Sequence, residues 1–312
     1  MIADSSSRST LETNTKVVGL VCVVISSTGF GLIPYFATTA YRHGANPFGL
    51  LTTRFPLATL ILLVLRSVGV RDGAWPRGRQ FLRVLALGAI GYAFQAYCYF
   101  SALEYIPSSL DAILLYLFPG FVVGLGIVLY GDRPSPSTMV CVAVAFAGCV
   151  LVVGPSGSGQ WKGIALGIGA ALCYSCYIVA SSRILPADAP ITSLTIVMLG
   201  GSITYAVLAP VLGPSLPADT QGWSAAFGLA LVGTVVGMGF FFAGLSRLGP
   251  ADTSVVANVE PLVSVVVGIV VLNEELRNLQ LLGGAVVLGA VTALAIVRTR
   301  RPAVARAASR GA

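Results

Sequence analysis

Charged residues are scarce in this sequence. Only 10% of its 312 residues are Asp, Glu, Lys or Arg, whereas an ordinary soluble domain contains about 25%. So few charges cannot cover a water-exposed surface, which excludes a soluble globular protein. Hydrophobic residues make up 56% of the chain, and glycine contributes a further 36 residues. The composition therefore predicts a protein that crosses a membrane several times.

Residues that bind metals or phosphates are also few. His43 is the only histidine, and Lys16 and Lys162 are the only lysines. All six cysteines lie in apolar stretches, where cysteine is typically a small core residue. Cys173 and Cys176 have redox spacing, but no second pair accompanies them. A Walker-type phosphate loop is absent as well. We therefore expect neither a metal nor a cofactor.

Ten apolar segments are long enough to cross a bilayer, which takes about 20 residues per helix. They cover residues 17–40, 48–65, 82–103, 108–130, 138–153, 163–185, 192–212, 223–246, 251–272 and 279–297. The connections are short, so neighbouring helices should run antiparallel. The expected fold class is an all-α polytopic membrane protein with ten transmembrane helices.

The distribution of basic residues predicts the orientation. With a cytoplasmic N-terminus, fifteen of the nineteen Lys and Arg residues lie on the inside. Three lie outside (Arg42, Lys162 and Arg277), and Arg54 lies within the second helix. Under the positive-inside rule both termini are expected in the cytoplasm and the protein in the plasma or bacterial inner membrane. The excess of basic residues thus indicates orientation, and no nucleic-acid partner is expected.

The two halves of the chain resemble each other. At an offset of 142, Pro119 aligns with Pro261 and Asp132 with Glu274. Five helices per half is an odd number, so the second half must enter the membrane from the opposite side, as in many secondary transporters. The expected organisation is two inverted five-helix repeats. Its parts are a cytoplasmic tail at 1–16, the first repeat at 17–153, a linker at 154–162, the second repeat at 163–297 and a basic cytoplasmic tail at 298–312.

These features together resemble the EamA-domain family of the drug/metabolite transporter superfamily. The matching residues are Phe30-Gly31, Tyr174-Ser175-Cys176-Tyr177, Arg54, Ala102-Leu103 to Pro107, Pro119 to Asp132, Gly244-Leu245 to Pro250, and Glu260-Pro261 to Glu274. The sequence departs from the family pattern at Ile33, where a polar residue is usual. It also has Val197 or Met198 where the second helix has Arg54. The resemblance covers about residues 17–297 and implies a small-molecule exporter embedded in lipid.

Two charged residues are expected deep in the membrane, where a charge costs about 2.5–3.5 kcal/mol even on the most lenient scale. Glu260 lies near the middle of the ninth helix, and the following Pro261 frees the carbonyl of Ala257. This carboxylate could bind a proton, a substrate ammonium group or Arg54. The alternative for Arg54 is a structural pair with Glu260 or with a helix C-terminus.

A polar and aromatic lining is predicted for a central cavity. Tyr92, Gln95 and Tyr99 are spaced to share one face of the third helix. Tyrosine combines a flat apolar ring with a hydroxyl, which suits a site for amphiphilic metabolites. Interfacial belts and packing between helices are the alternative. The other candidate lining residues are Tyr116, Tyr174, Tyr177 and Asn258.

Helix breakers mark candidate gates. Gly29, Gly31 and Pro34 fall within six residues of the first helix and should weaken it. Pro119 and Pro261 are expected to kink the fourth and ninth helices in the same way.

The function favoured by this pattern is export of small metabolites, most of all amino acids and among them aromatic ones, by alternating access. Protons are a candidate coupling ion, and the protein is expected as a monomer or a homodimer. A carrier of phosphorylated or nucleotide-linked sugars is the nearest alternative, although it should place more Lys and Arg in the cavity. A membrane-embedded transferase needs clustered acids for Mg²⁺, and the acids here are scattered. A channel would not require an inverted repeat.

Overall fold

The computed structural model describes the backbone of residues 2–70, 72–153, 160–186 and 189–308. Side chains are described for residues 15–70, 72–153, 160–186, 189–249 and 252–297. Residues 154–159 of the predicted linker, Arg71, and the side chains of both tails apart from Thr15 and Lys16 lie outside this description.

Ten helices in the described residues are long and apolar enough to cross a membrane. They are α1 (Thr15–Arg42), α2 (Pro47–Ser67), α3 (Arg79–Ala102), α4 (Ser108–Tyr130), α5 (Pro136–Val153), α6 (Trp161–Ile184), α7 (Pro190–Leu212), α8 (Thr220–Gly249), α9 (Asp252–Val270) and α10 (Asn278–Val297). No strand is found in the described part of the chain. The expected fold class, with ten spans in two inverted repeats, is confirmed.

Ten antiparallel spans define two ends of the molecule. The terminal end carries the start of α1, the end of α10 and the connections α2–α3, α4–α5, α6–α7 and α8–α9. The distal end carries the connections α1–α2, α3–α4, α7–α8 and α9–α10. Local sequence sets several helix boundaries. Asn46 accepts a hydrogen bond from the backbone N–H of Gly49 at 2.6 Å, and Pro47 follows it at the first helical position of α2. Gly131 ends α4 in the left-handed conformation at φ 66°.

Two of the helix pairs that join the repeats are formed by equivalent helices, α2 with α7 and α5 with α10. Glycine permits the close approach in both pairs. A Cβ atom on Gly201 of α7 would lie 2.3 Å from the ring of Phe55, and one on Gly283 of α10 would lie 2.7 Å from the carbonyl oxygen of Gly148. In each pair the partners hold equivalent positions in the two repeats, as expected along a pseudo-twofold axis.

The remaining six helices form the centre of the molecule. Helix α1 packs along α8, and its equivalent α6 packs along α3. Helices α4 and α9 lie between these pairs and contact α6 and α1 respectively. The four helices α3, α4, α6 and α9 therefore bring the predicted site residues of both repeats toward one region.

Irregular segments occur at matched places in the two repeats. A π-helical segment covers Leu87–Tyr92 in α3, and another covers Leu231–Val236 in α8, the equivalent helix. Helix α4 is broken at residues 116–117, before Pro119, and α9 is broken at 257–258, before Pro261. Such breaks leave backbone groups outside regular hydrogen bonding and often mark functional positions.

Candidate functional site between the repeats

Glu260 lies in the first turn of the second half of α9, Val259–Val270, directly after the break. Its half-buried carboxylate is within hydrogen-bond reach of the Tyr116 hydroxyl on α4. The same hydroxyl lies 3.3 Å from the carbonyl oxygen of Ala257. This is the carbonyl that Pro261 leaves without its helical donor. Tyr116 therefore joins the matched breaks of the two repeats.

Arg54 is buried in α2, with 3% of its surface exposed. Its Nε donates to Thr234 Oγ at 3.1 Å within the π-helical segment of α8, and its Nη2 lies 3.4 Å from the hydroxyl of Tyr92. The guanidinium carbon also lies 5.0 Å from the centre of the Phe100 ring. Among the described residues no carboxylate lies within ion-pair distance of Arg54, so its partners are neutral.

A continuous row of aromatic rings connects Arg54 to Glu260. Tyr92 contacts Tyr177 with ring centres 5.4 Å apart, and Tyr177 lies parallel to Tyr174 at 6.2 Å. Tyr174 packs edge-on against Phe118 at 5.0 Å, and Phe118 against Tyr116 at 6.1 Å. Helices α3, α6 and α4 contribute these rings. Four of the five predicted tyrosines thus form one surface with the guanidinium of Arg54 at one end and the carboxyl group of Glu260 at the other.

The fifth tyrosine, Tyr99, lies beside this row. It is within electrostatic range of both Glu260 and Arg54. Tyr99 and Gln95 have the expected position on one face of α3, and both are largely buried. Neither side chain forms a hydrogen bond with any described residue. Their polar groups are therefore available to a ligand.

Asn258 does not join this group. It lies at the break of α9, and its amide donates to Thr292 Oγ of α10 at 3.0 Å. Its described hydrogen bond holds the break against the peripheral helix.

The predicted gate residues of α1 lie in close contacts with the second repeat. A Cβ atom on Gly31 would lie 2.6 Å from Val263 Cβ, and the Gly31 carbonyl accepts a hydrogen bond from Ser264 Oγ at 3.1 Å. A Cβ atom on Gly29 would lie 2.9 Å from the carbonyl oxygen of Val232. Helix α1 is interrupted at Leu32, directly before Pro34. Whether this break moves during transport stays a prediction.

The contact between α4 and α9, here called the seam, differs between the two ends of the molecule. Glu274, which follows α9 at the distal end, accepts hydrogen bonds from the backbone N–H groups of Ser108 at 2.6 Å and Ser109 at 3.1 Å, and from Ser109 Oγ at 2.6 Å. This carboxylate satisfies the free N–H groups at the start of α4, where a negative charge is favourable. Glu274 thus joins the repeats at the distal end.

Asp132 is the equivalent residue after α4 at the terminal end. Its backbone N–H reaches the carbonyl oxygen of Gly126 at 3.2 Å, as that of Glu274 reaches the carbonyl oxygen of Gly268 at 2.9 Å. The side chain of Asp132 is exposed, and its carboxylate accepts no hydrogen bond from the described residues. The same local turn therefore carries an engaged carboxylate at one end only.

Burial shows the same asymmetry. Residues 108–114 at the start of α4 are all buried. At the start of α9, Asp252, Ser254 and Val255 are exposed. The seam is closed at the distal end and more open at the terminal end.

Connections at both ends are also linked. At the distal end His43 Nδ1 lies 2.7 Å from Asp219 Oδ2, and Asp219 Oδ1 accepts from the N–H of Gly222 at 2.9 Å. The Gly222 N–H bond and His43 hold the pKa of Asp219 below its ordinary value. At the terminal end Asp72 accepts from Thr192 Oγ at 2.7 Å and from the N–H of Thr192 at 3.1 Å. These contacts hold α2 and α7 together at both ends.

Several residues of the site carry no signal in the sequence that identifies them. Thr234, Phe118 and Phe100 complete the surroundings of Arg54 and the tyrosine row, but serine, threonine and phenylalanine are common in any apolar helix. The sequence shows Glu274 as the counterpart of Asp132 in the other repeat, but it does not show that Glu274 binds the start of α4. The matched acidic positions are the available signal that Glu274 joins two elements.

A shallow concave region lies at the distal surface. It has a volume of about 350 Å³ and is lined by Tyr105, Trp161, Lys162, Ala165 and Leu166. Lys162 Nζ lies 6.0 Å from the centre of the Tyr105 ring. Exposed Trp with Lys is typical of a membrane–water interface.

Several known proteins are similar to this chain in sequence. A transporter of uncharacterised function from Archaeoglobus fulgidus is 26% identical over 88% of this chain and 94% of its own length. The probable terminal-alkyne amino-acid exporter of Streptantibioticus cattleyicolor is 27% identical over 80% of this chain and 85% of its own. The threonine/homoserine exporter RhtA of Escherichia coli is 24% identical over 80% and 82%.

A solved structure described as "Crystal structure of protein" has the same fold, with a TM-score of 0.62. It is 20% identical in sequence, and the superposition covers 93% of this chain and 98% of the other. The profile of the EamA-like transporter family matches twice, at residues 17–154 and 161–296, one match for each repeat. With ten spans, matched breaks and both repeats covered, this chain belongs to the EamA-like transporter family.

Proposed function

We propose that this protein exports small amphiphilic metabolites, most of all amino acids, by alternating access between its two repeats. One observation carries the proposal: the row of tyrosines that runs from Arg54 to Glu260 between the repeats. An amino acid has a carboxylate and an ammonium group a few ångströms apart, and its side chain needs an apolar surface. The site offers the guanidinium of Arg54 and the carboxyl group of Glu260 at opposite ends of a row of aromatic rings, so a charged group of the substrate can bind at one end while its side chain packs along the rings.

Two of the relatives are named as amino-acid exporters. Their identity to this chain is low, so they support the class of substrate and not a particular member. The hydroxyls and rings of the tyrosine row suit aromatic or hydroxylated side chains equally, and either could bind along it.

The proposed orientation places the terminal end in the cytoplasm of a cell with the protein in its plasma or inner membrane. The distribution of Lys and Arg supports it. The conformation described here would then be closed to the outside and accessible from the cytoplasm, the state that accepts a substrate for export.

The alternative of a sugar-phosphate carrier receives less support. A phosphate group carries close to two negative charges at neutral pH. In the described part of the centre, Arg54 is the one Lys or Arg side chain available to balance them.

Counterflow in proteoliposomes tests the proposal. Purified protein is reconstituted, vesicles are loaded with one unlabelled compound, and uptake of its labelled form is followed. A panel of amino acids, nucleosides and sugar phosphates is compared. We expect accumulation with amino acids. Accumulation confined to sugar phosphates would replace the proposal with the alternative carrier.

A further inference from the structure

A buried acid lies one helical turn below the Glu274 contact. Asp111 is in the first half of α4, Ser108–Leu115, and 0% of its surface is exposed. Both of its carboxylate oxygens are buried and have no hydrogen-bond partner among the described residues. Ser108 Oγ, three residues earlier on the same helix face, is also buried without a partner. Such groups are rare in native structures and call for an explanation.

The surroundings of Asp111 provide no positive charge. Helix α6 packs its Gly167 against it, where an added Cβ would lie 3.0 Å from Asp111 Oδ1. Tyr99 of α3 and Tyr41 of α1 face it within electrostatic range. Among the described residues no Lys, Arg or His pairs with Asp111.

The nearby acids argue against a second negative charge. Glu274 already occupies the N–H groups at the start of α4, and Glu104 lies in the connection before it. An ionised carboxylate that is buried and unpaired is strongly disfavoured. In this conformation Asp111 is therefore a neutral carboxylic acid.

We propose that Asp111 is a proton-binding site, and that binding of a proton there closes the distal end. Opening this end removes Glu274 from α4, which frees the N–H groups of Ser108 and Ser109 and admits water. The freed N–H groups and the water then stabilise the ionised Asp111 carboxylate, and its proton passes to water at the distal end. Closing reverses the step and takes up one proton. This inference rests on the alternating access and orientation of the proposed function.

The equivalent position at the terminal end has no proton-binding side chain. At the offset of 142, Asp111 aligns with Thr253 of α9, which is also buried with its Oγ unpartnered. Threonine does not titrate. Proton binding should therefore govern the distal end and leave the terminal end unaffected.

Hydrogen–deuterium exchange on the full-length protein in lipid nanodiscs measures this directly. Exchange in peptides covering 108–115 is followed from pH 5 to pH 8 and corrected for the intrinsic pH dependence of amide exchange. For the wild type, protection should decrease by up to tenfold per pH unit as pH rises, because closure binds one proton. Peptides covering 252–258 should show no such slope.

Asp111→Asn, a neutral side chain of the same shape, should remain protected at every pH and lose the slope. His43→Gln and Glu104→Gln are the matched controls, since each removes an ionisable side chain in a connection at the distal end, and both variants should keep the slope. If Asp111→Asn does not fold, infrared difference spectra of the wild type replace it. The carbonyl band of a protonated carboxylic acid should disappear as the distal end opens at high pH.

Three results would overturn the inference: no slope in the wild type, a slope that survives in Asp111→Asn, or a slope that depends on Na⁺ in place of pH, which would indicate a metal-cation site. None of these measurements needs a substrate. Loss of amino-acid counterflow with an intact Asp111-dependent slope would reject the proposed function alone.

Discussion

At the scale of single residues, the buried hydroxyls of this protein fall into two groups. Tyr41 donates to the carbonyl oxygen of Phe100 at 2.9 Å, and Tyr205 donates to that of Ala93 at 2.8 Å. Tyr99 has no such described partner. The first group supports the packing of helices, whereas we propose that the Tyr99 hydroxyl contacts a substrate. Replacing a tyrosine with phenylalanine removes only its hydroxyl group and distinguishes the two roles.

Tyr99→Phe should therefore leave the melting temperature unchanged and alter the apparent affinity for substrates. Tyr41→Phe, the matched control, should lose about 1 kcal/mol of stability because it leaves a carbonyl unpaired. Thermal unfolding in detergent and counterflow with several amino acids provide the two measurements. A lower melting point with equal loss for every substrate would show that Tyr99 is a packing residue.

Glu260→Gln should weaken the apparent affinity for amino acids by roughly tenfold or more, because a hydrogen bond to a charged group contributes about 1.5–3 kcal/mol. Glu275→Gln makes the same change at an exposed site in the α9–α10 connection and should have no effect. Concentration-dependent counterflow across pH 5–8 measures both. An unaltered profile for Glu260→Gln would remove this residue from the mechanism.

Asp219 should make stability depend on pH only in acid. Its pKa is lowered on folding, so its stabilising contribution is complete above the unfolded pKa of about 3.9 and is lost as pH falls through the folded pKa. Melting temperatures at pH 3–5 should decrease in the wild type more than in Asp219→Asn. A difference confined to pH 5–8 would contradict this assignment.

At the scale of helices, the irregular segments repeat where the sequence repeats. The breaks of α4 and α9 precede matched prolines, and proline removes a hydrogen bond wherever it stands inside a helix. The π-helical segments of α3 and α8 contain Gly91 and Gly233. At both kinds of site a helix of one repeat meets the other, so the irregularity is placed where the repeats must adjust.

Gly31→Ala should destabilise the contact of α1 with α9, since its Cβ would overlap Val263. Overpacking of this kind costs about 1–3 kcal/mol. Gly124→Ala is the control, because nothing lies within 4 Å of the added methyl group, and it should be neutral or slightly stabilising. Thermal unfolding of the two variants should differ in sign. Equal melting points would show that α1 relaxes freely at this break.

At the scale of the whole molecule, one carboxylate contact distinguishes the two ends. Three hydrogen bonds join Glu274 to α4 at the distal end, while Asp132 is exposed at the terminal end. A protein that alternates between two states should exchange these roles. The energy of a few hydrogen bonds is enough to change the populations of such states severalfold or more.

Glu274→Ala should therefore favour the distal-open state and increase exchange in peptides covering 108–115. Asp132→Ala should act in the opposite direction, because it removes a contact expected only when the terminal end is closed. Glu275→Ala provides an exposed control beside the first site. Equal effects of the Glu274 and Asp132 variants on this segment would contradict a two-state exchange.

Much of this architecture is readable from the sequence. The apolar spans follow from the need to satisfy every backbone polar group inside a bilayer, and the inversion of the second repeat follows from the odd number of spans in the first. Pro261 identifies the freed Ala257 carbonyl before any coordinates are known, and the spacing of Tyr92, Gln95 and Tyr99 gives their common face. These features depend on local geometry and on partition between water and lipid.

Only the tertiary structure decided which residues meet. It paired Arg54 with Thr234 and Tyr92 in place of Glu260, attached Asn258 to α10, and left Asp111 buried without a partner. It also determined that Glu274 is engaged while Asp132 is not, although the two acids hold matched positions in the repeats. The physical reason is that contacts between helices distant in sequence depend on how the helices pack, whereas an apolar span depends on its own residues.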